Sequence, residues 1–215
     1  MKPFHLIVLS LLMSITLPAL ADQTNFFQGI QYEAVKPAQQ TDVKPGQIEV
    51  IEFYWYGCPV CNALEPYVEG WEKQLPANVV FKRVPAAWPN TEFYVDAQAT
   101  AVADVLGIGE KIREPFFNAI HEDGEVALRT DKDALRQFFA KFGIKPADFD
   151  AAWDSAAVKA RLIAYQKLAD AYDISGVPTL IVNGKWKTGA GHMMPPSQVM
   201  DCVNFLIAKE QTSNK

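Results

Sequence analysis

"FYWYGCPVCN", residues 53–62, decides how this sequence is interpreted, because it places two cysteines, with two residues between them, behind a run of aromatic residues. The preceding "IEVIEFYWY" is β-branched and aromatic, which predicts a strand with apolar residues on both faces. The following "NALEPYVEGWEKQL" carries apolar residues at helical spacing. Cys58 and Cys61 therefore lie where a buried strand turns into a helix.

This position gives the two thiols different chemical roles. Unpaired backbone N–H groups and the positive end of the helix dipole stabilise a thiolate at Cys58. The thiolate is the nucleophile and the leaving group of disulfide exchange. Cys61 lies on the first helical turn and is close enough to form a disulfide with Cys58. We therefore expect Cys58 to be the attacked sulfur and Cys61 to resolve the intermediate, with Pro59 presetting φ for the first turn.

A metal site or a structural crosslink fits these cysteines less well. Beyond the pair, the mature chain offers Cys202, His121 and His192, and none stands at zinc-motif spacing. A bridge that closes a two-residue loop removes little entropy from the unfolded chain. We therefore expect a redox-active pair that needs neither a metal nor an organic cofactor. Cys202 is expected to be a small buried residue of the last helix, and a reactive thiol is the alternative.

Length and composition indicate an exported globular protein. The first 21 of the 215 residues combine Lys2, an apolar stretch and a small-residue site at Ala19–Ala21, which predicts a signal peptide cleaved before Asp22. Hydrophobic residues make up 49% of the chain, which is ordinary for a globular protein. The net charge of −5 excludes the basic surface of a nucleic-acid-binding protein and argues against tight binding to anionic lipid.

The remaining pattern predicts a mixed α/β architecture. "ANVVFKRVP", residues 77–85, indicates a second buried strand, and successive amphipathic helices follow from about residue 88 to 172. "PTLIVNGKWKT", residues 178–188, is a strong hairpin signal, and the final stretch predicts a helix. The order is therefore β-α-β, a block of helices, and β-β-α, with the helices inserted between two parts of one sheet.

Together these motifs resemble the thioredoxin superfamily and, within it, the DsbA family of bacterial periplasmic disulfide oxidases. "FYWYGCPVC", "SGVPTLIVNGKW" and the helices between them carry the resemblance, which covers nearly the whole mature chain. It implies an α/β thioredoxin fold with an inserted all-helical domain. The expected domains are a signal peptide at 1–21, a thioredoxin-like domain formed by 22–87 and 166–215, and a helical domain at 88–165.

The resemblance also implies an activity. The protein is expected to be a periplasmic monomer that donates its Cys58–Cys61 disulfide to reduced exported proteins. A DsbB-like, quinone-linked membrane protein is the expected reoxidising partner. A disulfide reductase or isomerase, a non-enzymatic peptide-binding chaperone, and an oxidase dedicated to few substrates stay open as alternatives.

Two further parts of the active site follow from the resemblance. Pro178 matches a cis-proline loop beside the disulfide, and there the backbone of Val177 is exposed to pair with an extended substrate. Glu52 matches a carboxylate buried beneath the disulfide that assists proton transfer at Cys61, and burial raises the pKa of such a group. Lys82 and Arg83 on the next strand are both candidates for its counter-charge.

Substrate contacts are expected around the cysteine pair and in the loop "GAGHMMPP", residues 189–196, although that loop can equally pack against the rest of the protein. The candidate residues are Pro59, Val60, His192 and Met193, together with Trp55 or Tyr56. The chain departs from the family at Val60, because the usual inner pair is Pro-His. A histidine stabilises the Cys58 thiolate electrostatically and a valine does not, so we expect a thiolate pKa that is lowered less and a weaker oxidant.

Overall fold

The computed structural model describes residues 25–189 and 194–213, so the predicted signal peptide lies outside the described residues. Within these ranges, five strands form one mixed sheet in the order β1-β5-β4-β2-β3. The strands are β1 (Tyr32–Ala34), β2 (Ile48–Tyr54), β3 (Val79–Pro85), β4 (Thr179–Val182) and β5 (Trp186–Gly189). The strand β2 lies parallel to β3 and antiparallel to β4.

The helices fall into the predicted order. They are α1 (Pro59–Glu72) between β2 and β3, then α2 (Glu92–Val105), α3 (Gly109–His121), a 3-10 helix (Val126–Arg129), α4 (Lys132–Ala140), α5 (Pro146–Trp153) and α6 (Ala156–Ala171) between β3 and β4, and finally α7 (Pro196–Ser213). The proposed domain boundary at residue 165 falls inside α6, and the boundaries stay predictions. In the part of the chain that the structure describes, no helix is long and apolar enough to cross a membrane.

The strand β2 is the centre of the fold, and all seven of its residues are buried. Successive side chains of a strand point to opposite faces. Ile48 and Val50 accordingly join the core with α1 and α7, whereas Ile51 and Phe53 join the core of the inserted helices. Glu52 shares the face of Val50, so its carboxylate is directed into the layer beneath α1.

The hairpin between β4 and β5 lies next to β2, on the side away from β3. Asn183 and Gly184 form its turn with φ values of 53° and 67°, which the tight hairpin turn requires. Thr179 pairs with Phe53, so the residues just before β4 lie at the same sheet edge as the end of β2. The sheet therefore brings the Val177–Pro178 segment next to the cysteine pair, although about 120 residues separate them in sequence.

Candidate active site

The junction between β2 and α1 presents Cys58 at the start of the helix. The backbone N–H of Cys58 donates to the carbonyl of Trp55 at 3.0 Å, which closes a turn over Tyr56 and Gly57. Cys58 is the N-cap residue of α1, and its Sγ accepts a hydrogen bond from the Cys61 N–H at 3.3 Å. Both cysteines are free thiols in this structure.

The environment separates the acidities of the two thiols. Hydrogen bonds from the thiol and the backbone N–H of Cys61 and from the N–H of Val60 lower the pKa of Cys58 to about 6, although partial burial acts in the opposite direction. Burial above all raises the pKa of Cys61, which is only 1% exposed, and the neighbouring Cys58 adds to this effect. A stable thiolate at Cys58 agrees with the expectation from the helix start.

The loop before β4 lies against the reactive sulfur. The Cys58 thiol donates to the Val177 carbonyl with Sγ and O 3.6 Å apart. The predicted cis bond between Val177 and Pro178 is confirmed. A cavity of about 250 Å³ extends along this loop, and its lining includes Ser175 and Gly176, which are exposed. The loop thus offers backbone groups to a chain that approaches Cys58.

Glu52 is almost completely buried, at 1% exposure, on the α1 side of β2. Arg83 is its charged partner, with Nε and Oε2 3.4 Å apart, whereas Lys82 pairs with Glu49 on the opposite face. The alternation of side chains along β3 therefore decides between the two candidates. Burial raises the pKa of Glu52, and the charges of Arg83 and Arg113 oppose that rise.

A second buried carboxylate accompanies Glu52, and the sequence interpretation did not include it. Glu65 lies on α1 one turn after Cys61, and its Oε1 is 3.6 Å from Nη2 of Arg83 and 3.9 Å from Nε of Arg113. Burial and the charge of Glu52 raise its pKa to about 7, although both arginines lower it. The spacing of four residues from Cys61 was a usable signal, because such residues share one face of a helix.

The candidate substrate contacts differ in exposure. Pro59 and Val60 are exposed beside Cys58, and Val60 has 43% of its surface accessible. Trp55 and Tyr56 are 8% and 1% exposed, so burial leaves little of either ring for the substrate contact that we expected. Both rings instead pack on the inserted helices, because the turn before Cys58 directs them inward. The predicted contacts His192 and Met193 lie outside the described residues.

The third cysteine is part of the core. Cys202 on α7 is completely buried, as expected, and Thr188 donates to its Sγ at 3.5 Å. Burial raises the pKa of this thiol. Among the described residues, no group of three or more histidine, cysteine, aspartate or glutamate side chains is arranged to hold a metal ion.

Comparison with known proteins places the chain close to one family. Residues 72–204 match the DSBA-like thioredoxin domain. The thiol:disulfide interchange protein DsbA of Pseudomonas syringae pv. tomato is 37% identical over 187 residues, covering 87% of this chain and 86% of the relative. The protein of the same name from Azotobacter vinelandii is 34% identical over 210 residues, covering 90% and 95%.

The solved structures agree with the sequence comparisons. The crystal structure of Pseudomonas aeruginosa DsbA superimposes with a TM-score of 0.80 at 32% identity, covering 88% of this chain and 96% of that one. A structure of DsbA from Xylella fastidiosa gives a TM-score of 0.78 at 27% identity, covering 85% and 96%. The predicted fold, a thioredoxin fold with inserted helices, is confirmed.

Proposed function

The chain belongs to the DSBA-like thioredoxin family of thiol:disulfide interchange proteins, and from that premise we propose that it oxidises the thiols of exported proteins with a Cys58–Cys61 disulfide. One observation carries the direction of the reaction. The pKa of Cys58 is lowered to about 6 while burial raises that of Cys61. A stabilised Cys58 thiolate favours the reduced form of the pair, which makes the disulfide an oxidant.

The exchange proceeds in two steps. A substrate thiolate attacks Sγ of Cys58, the Cys58–Cys61 bond breaks, and Cys61 leaves as a thiolate that takes up a proton. The second substrate thiolate then attacks the substrate sulfur of the mixed disulfide. The bond to Cys58 breaks, the substrate leaves with its own disulfide, and Cys58 departs as a thiolate. Its low pKa makes Cys58 a good leaving group in this second step.

Glu52 is the proposed source of the proton for Cys61. A thiolate at Cys61 is costly because the side chain is 1% exposed. Glu52 is buried in the same layer, and burial raises its pKa, so its carboxyl holds a proton more readily than an exposed one. The proton moves from the Glu52 carboxyl to the Cys61 sulfur when the disulfide breaks, and it returns when the disulfide is restored.

Substrate binding is proposed to use backbone and apolar contacts. The carbonyl of Val177 lies 3.6 Å from Cys58 Sγ, so an extended substrate strand that reaches the sulfur also reaches this backbone. Strand addition of this kind gives affinity without demanding a particular sequence. The exposed Pro59 and Val60 provide apolar contact on the other side of the sulfur. His192 and Met193 stay candidates for a further contact.

The cellular setting completes the proposal. We place the protein in the periplasm as a monomer that needs no metal or organic cofactor. A DsbB-like, quinone-linked membrane protein restores the disulfide after each cycle. Reduced exported proteins are the substrates. This setting is consistent with the export signal predicted at residues 1–21.

The test combines the rate of peptide oxidation with the redox equilibrium of the Cys58–Cys61 pair. The oxidised protein is mixed with a reduced peptide that contains two cysteines, and its disulfide is equilibrated with glutathione. We expect rapid oxidation of the peptide and a potential markedly above that of thioredoxin, which is about −270 mV. Cys58→Ser and Cys61→Ser should both abolish transfer, because neither variant can form the disulfide. With the oxidised peptide instead, the Cys58 thiolate of Cys61→Ser should attack the peptide disulfide and form a mixed disulfide that no Cys61 thiol resolves. Cys202→Ser serves as the control with unchanged rate.

The alternatives give different results in the same experiment. A potential near that of thioredoxin would contradict the oxidase and support a reductase. Equal suppression of substrate aggregation by the wild type and by Cys58→Ala/Cys61→Ala, without measurable oxidation by the wild type, would support a chaperone.

A further inference from the structure

The turn that presents Cys58 is held by a histidine from the inserted helices. Nε2 of His121, the last residue of α3, lies 2.7 Å from the carbonyl oxygen of Tyr56. A carbonyl only accepts hydrogen bonds, so the imidazole donates and Nε2 carries the proton. The same helix also holds the Tyr56 ring, whose centroid lies 4.4 Å from that of Phe116 and 4.7 Å from that of Phe117.

The bonded carbonyl belongs to the central peptide of the turn. Trp55, Tyr56, Gly57 and Cys58 are its four positions, because the Cys58 N–H donates to the Trp55 carbonyl. In such a turn, types I and II differ by a flip of the peptide between the second and third residues. The φ of Gly57 is not in the positive range, which excludes type II. The Tyr56 carbonyl is the group that this flip would redirect.

Gly57 makes the flip possible, and packing prevents its replacement. A Cβ at this position would lie 2.2 Å from the indole ring of Trp55, so no larger residue fits without a shift. Glycine adopts the positive φ of a type II turn without steric cost. The backbone of the turn therefore does not select one orientation by itself, and outside contacts must select it.

A buried acid on α2, Asp96, lies near the N–H end of the same peptide. Asp96 is completely buried, and burial raises its pKa well above the ordinary value, although the N–H groups of Tyr56 and Gly57 and the charge of Arg129 oppose this rise. Neither carboxylate oxygen has a hydrogen bond of good geometry. A flipped peptide would turn the Tyr56 carbonyl away from His121 and lose the hydrogen bond from Nε2. The His121 hydrogen bond therefore favours the observed orientation.

We propose that His121 is a positioning residue for the disulfide chemistry: its hydrogen bond fixes the central peptide of the Trp55–Cys58 turn, and with it the placement of Cys58 at the start of α1. The sulfur depends on this placement, because the N–H groups of Val60 and Cys61 stabilise its thiolate only when they are directed at it. Loss of the donor weakens those contacts. The proposal rests on the oxidase function and adds a residue from the helical insertion to it.

Paired substitutions at His121 test the proposal. His121→Leu removes the donor, whereas His121→Gln retains an N–H at a similar reach. A hydrogen bond of ordinary strength corresponds to about a fivefold effect. We expect about a fivefold slower oxidation of a dithiol peptide and a higher thiolate pKa of Cys58 for His121→Leu, and values within about twofold of wild type for His121→Gln. Glu122→Gln, an exposed neighbour, is the matched control.

The outcomes separate this proposal from the function on which it rests. Equal rates and equal Cys58 titrations for the Leu and Gln variants would overturn the role of His121. If the wild type oxidises no peptide, the oxidase function fails, and the Cys58 titrations still test the positioning. Should the Leu variant not fold, the nitrogen NMR spectrum of the wild-type histidines decides, since a neutral His121 protonated at Nδ1 rather than Nε2 would contradict the hydrogen bond.

Discussion

Replacing Val60 by histidine measures what the departure from the usual Pro-His inner pair does to the chemistry. Val60 lies in the first turn of α1, and its N–H helps to stabilise the Cys58 thiolate. Its side chain is 43% exposed, so an imidazole is accommodated there without repacking the core. The substitution therefore adds one titratable cation near the sulfur and changes little else.

Coulomb's law gives the order of magnitude of the expected effect. For a cation on an exposed side chain about 6 Å from the sulfur, where solvent screens the pair, the attraction is about 1 kcal/mol. This lowers the pKa of Cys58 by about 0.7 units from its value of about 6. The reduced form is stabilised by the same amount, so the potential rises by about 20 mV.

The pH range in which the histidine lowers the pKa of Cys58 follows from the titrations of the imidazole and of the thiol. The cation exists only below the imidazole pKa, which is about 6.5 in the absence of perturbation. The thiolate exists above the pKa of Cys58. The attraction is therefore largest near about pH 6 and fades toward about pH 8, where the imidazole is neutral. A shift that persisted unchanged at high pH would point to packing rather than to charge.

The assay is a titration of the thiolate absorbance of the reduced protein, with the glutathione equilibrium measured at several pH values. Val60→Gln is the matched control, because it adds a polar side chain of similar size without a charge. We expect the wild type and Val60→Gln to titrate together and Val60→His to titrate lower. Identical curves for the histidine and glutamine variants would refute the reasoning.

Three further predictions concern the buried polar groups. Burial raises the pKa of Glu65 from 4.5 to about 7, so the folded state binds the carboxyl proton more tightly than the unfolded state does, and the free energy of unfolding falls as pH rises through this range. In Glu65→Gln, the fall in unfolding free energy between pH 5 and pH 8, measured with urea, should be smaller by up to about 3 kcal/mol. Arg83→Met should destabilise the protein by about 3 kcal/mol or more and raise the pKa of Glu52 in a carboxyl NMR titration, whereas a comparable shift for Lys82→Met would contradict the assigned pairing. In the oxidised protein, Cys202 should react with a thiol reagent only after denaturation, and rapid labelling of the native protein would exclude its buried position.

Local signals in the sequence account for much of the fold. The buried strand β2, the helix that starts after Cys58 and the Asn183–Gly184 hairpin each follow from a short pattern with a physical cause. The cis bond before Pro178 came from the family resemblance rather than from the pattern. The edge strand β1 was not predicted, since three residues carry no periodicity and its pairing with β5 depends on distant parts of the chain.

The parts of the site that sequence reasoning missed depend on long-range contacts. The choice of Arg83 over Lys82 required the register of β3, because the two residues point to opposite faces of the sheet. The spacing of Glu65 from Cys61 was visible in the sequence, but its ion pair with Arg113 of α3 was not. His121 contacts Tyr56 across 65 residues, and a histidine at a helix end gives no sign of such a partner.

The charges beneath the disulfide explain why the exchange needs a proton on the protein side. Two buried acids, Glu52 and Glu65, face the guanidinium groups of Arg83 and Arg113. Arg83 also pairs with Glu72 and Arg113 with Glu110, so both cations are shared with more exposed carboxylates. A thiolate leaving at Cys61 adds a negative charge that these cations do not match, and a low-dielectric interior penalises it. In the proposed mechanism, transfer of the Glu52 proton to the sulfur of Cys61 removes this charge from the thiolate. Burial raises the pKa of both acids, so the layer beneath the disulfide is also the place where that proton is most readily held.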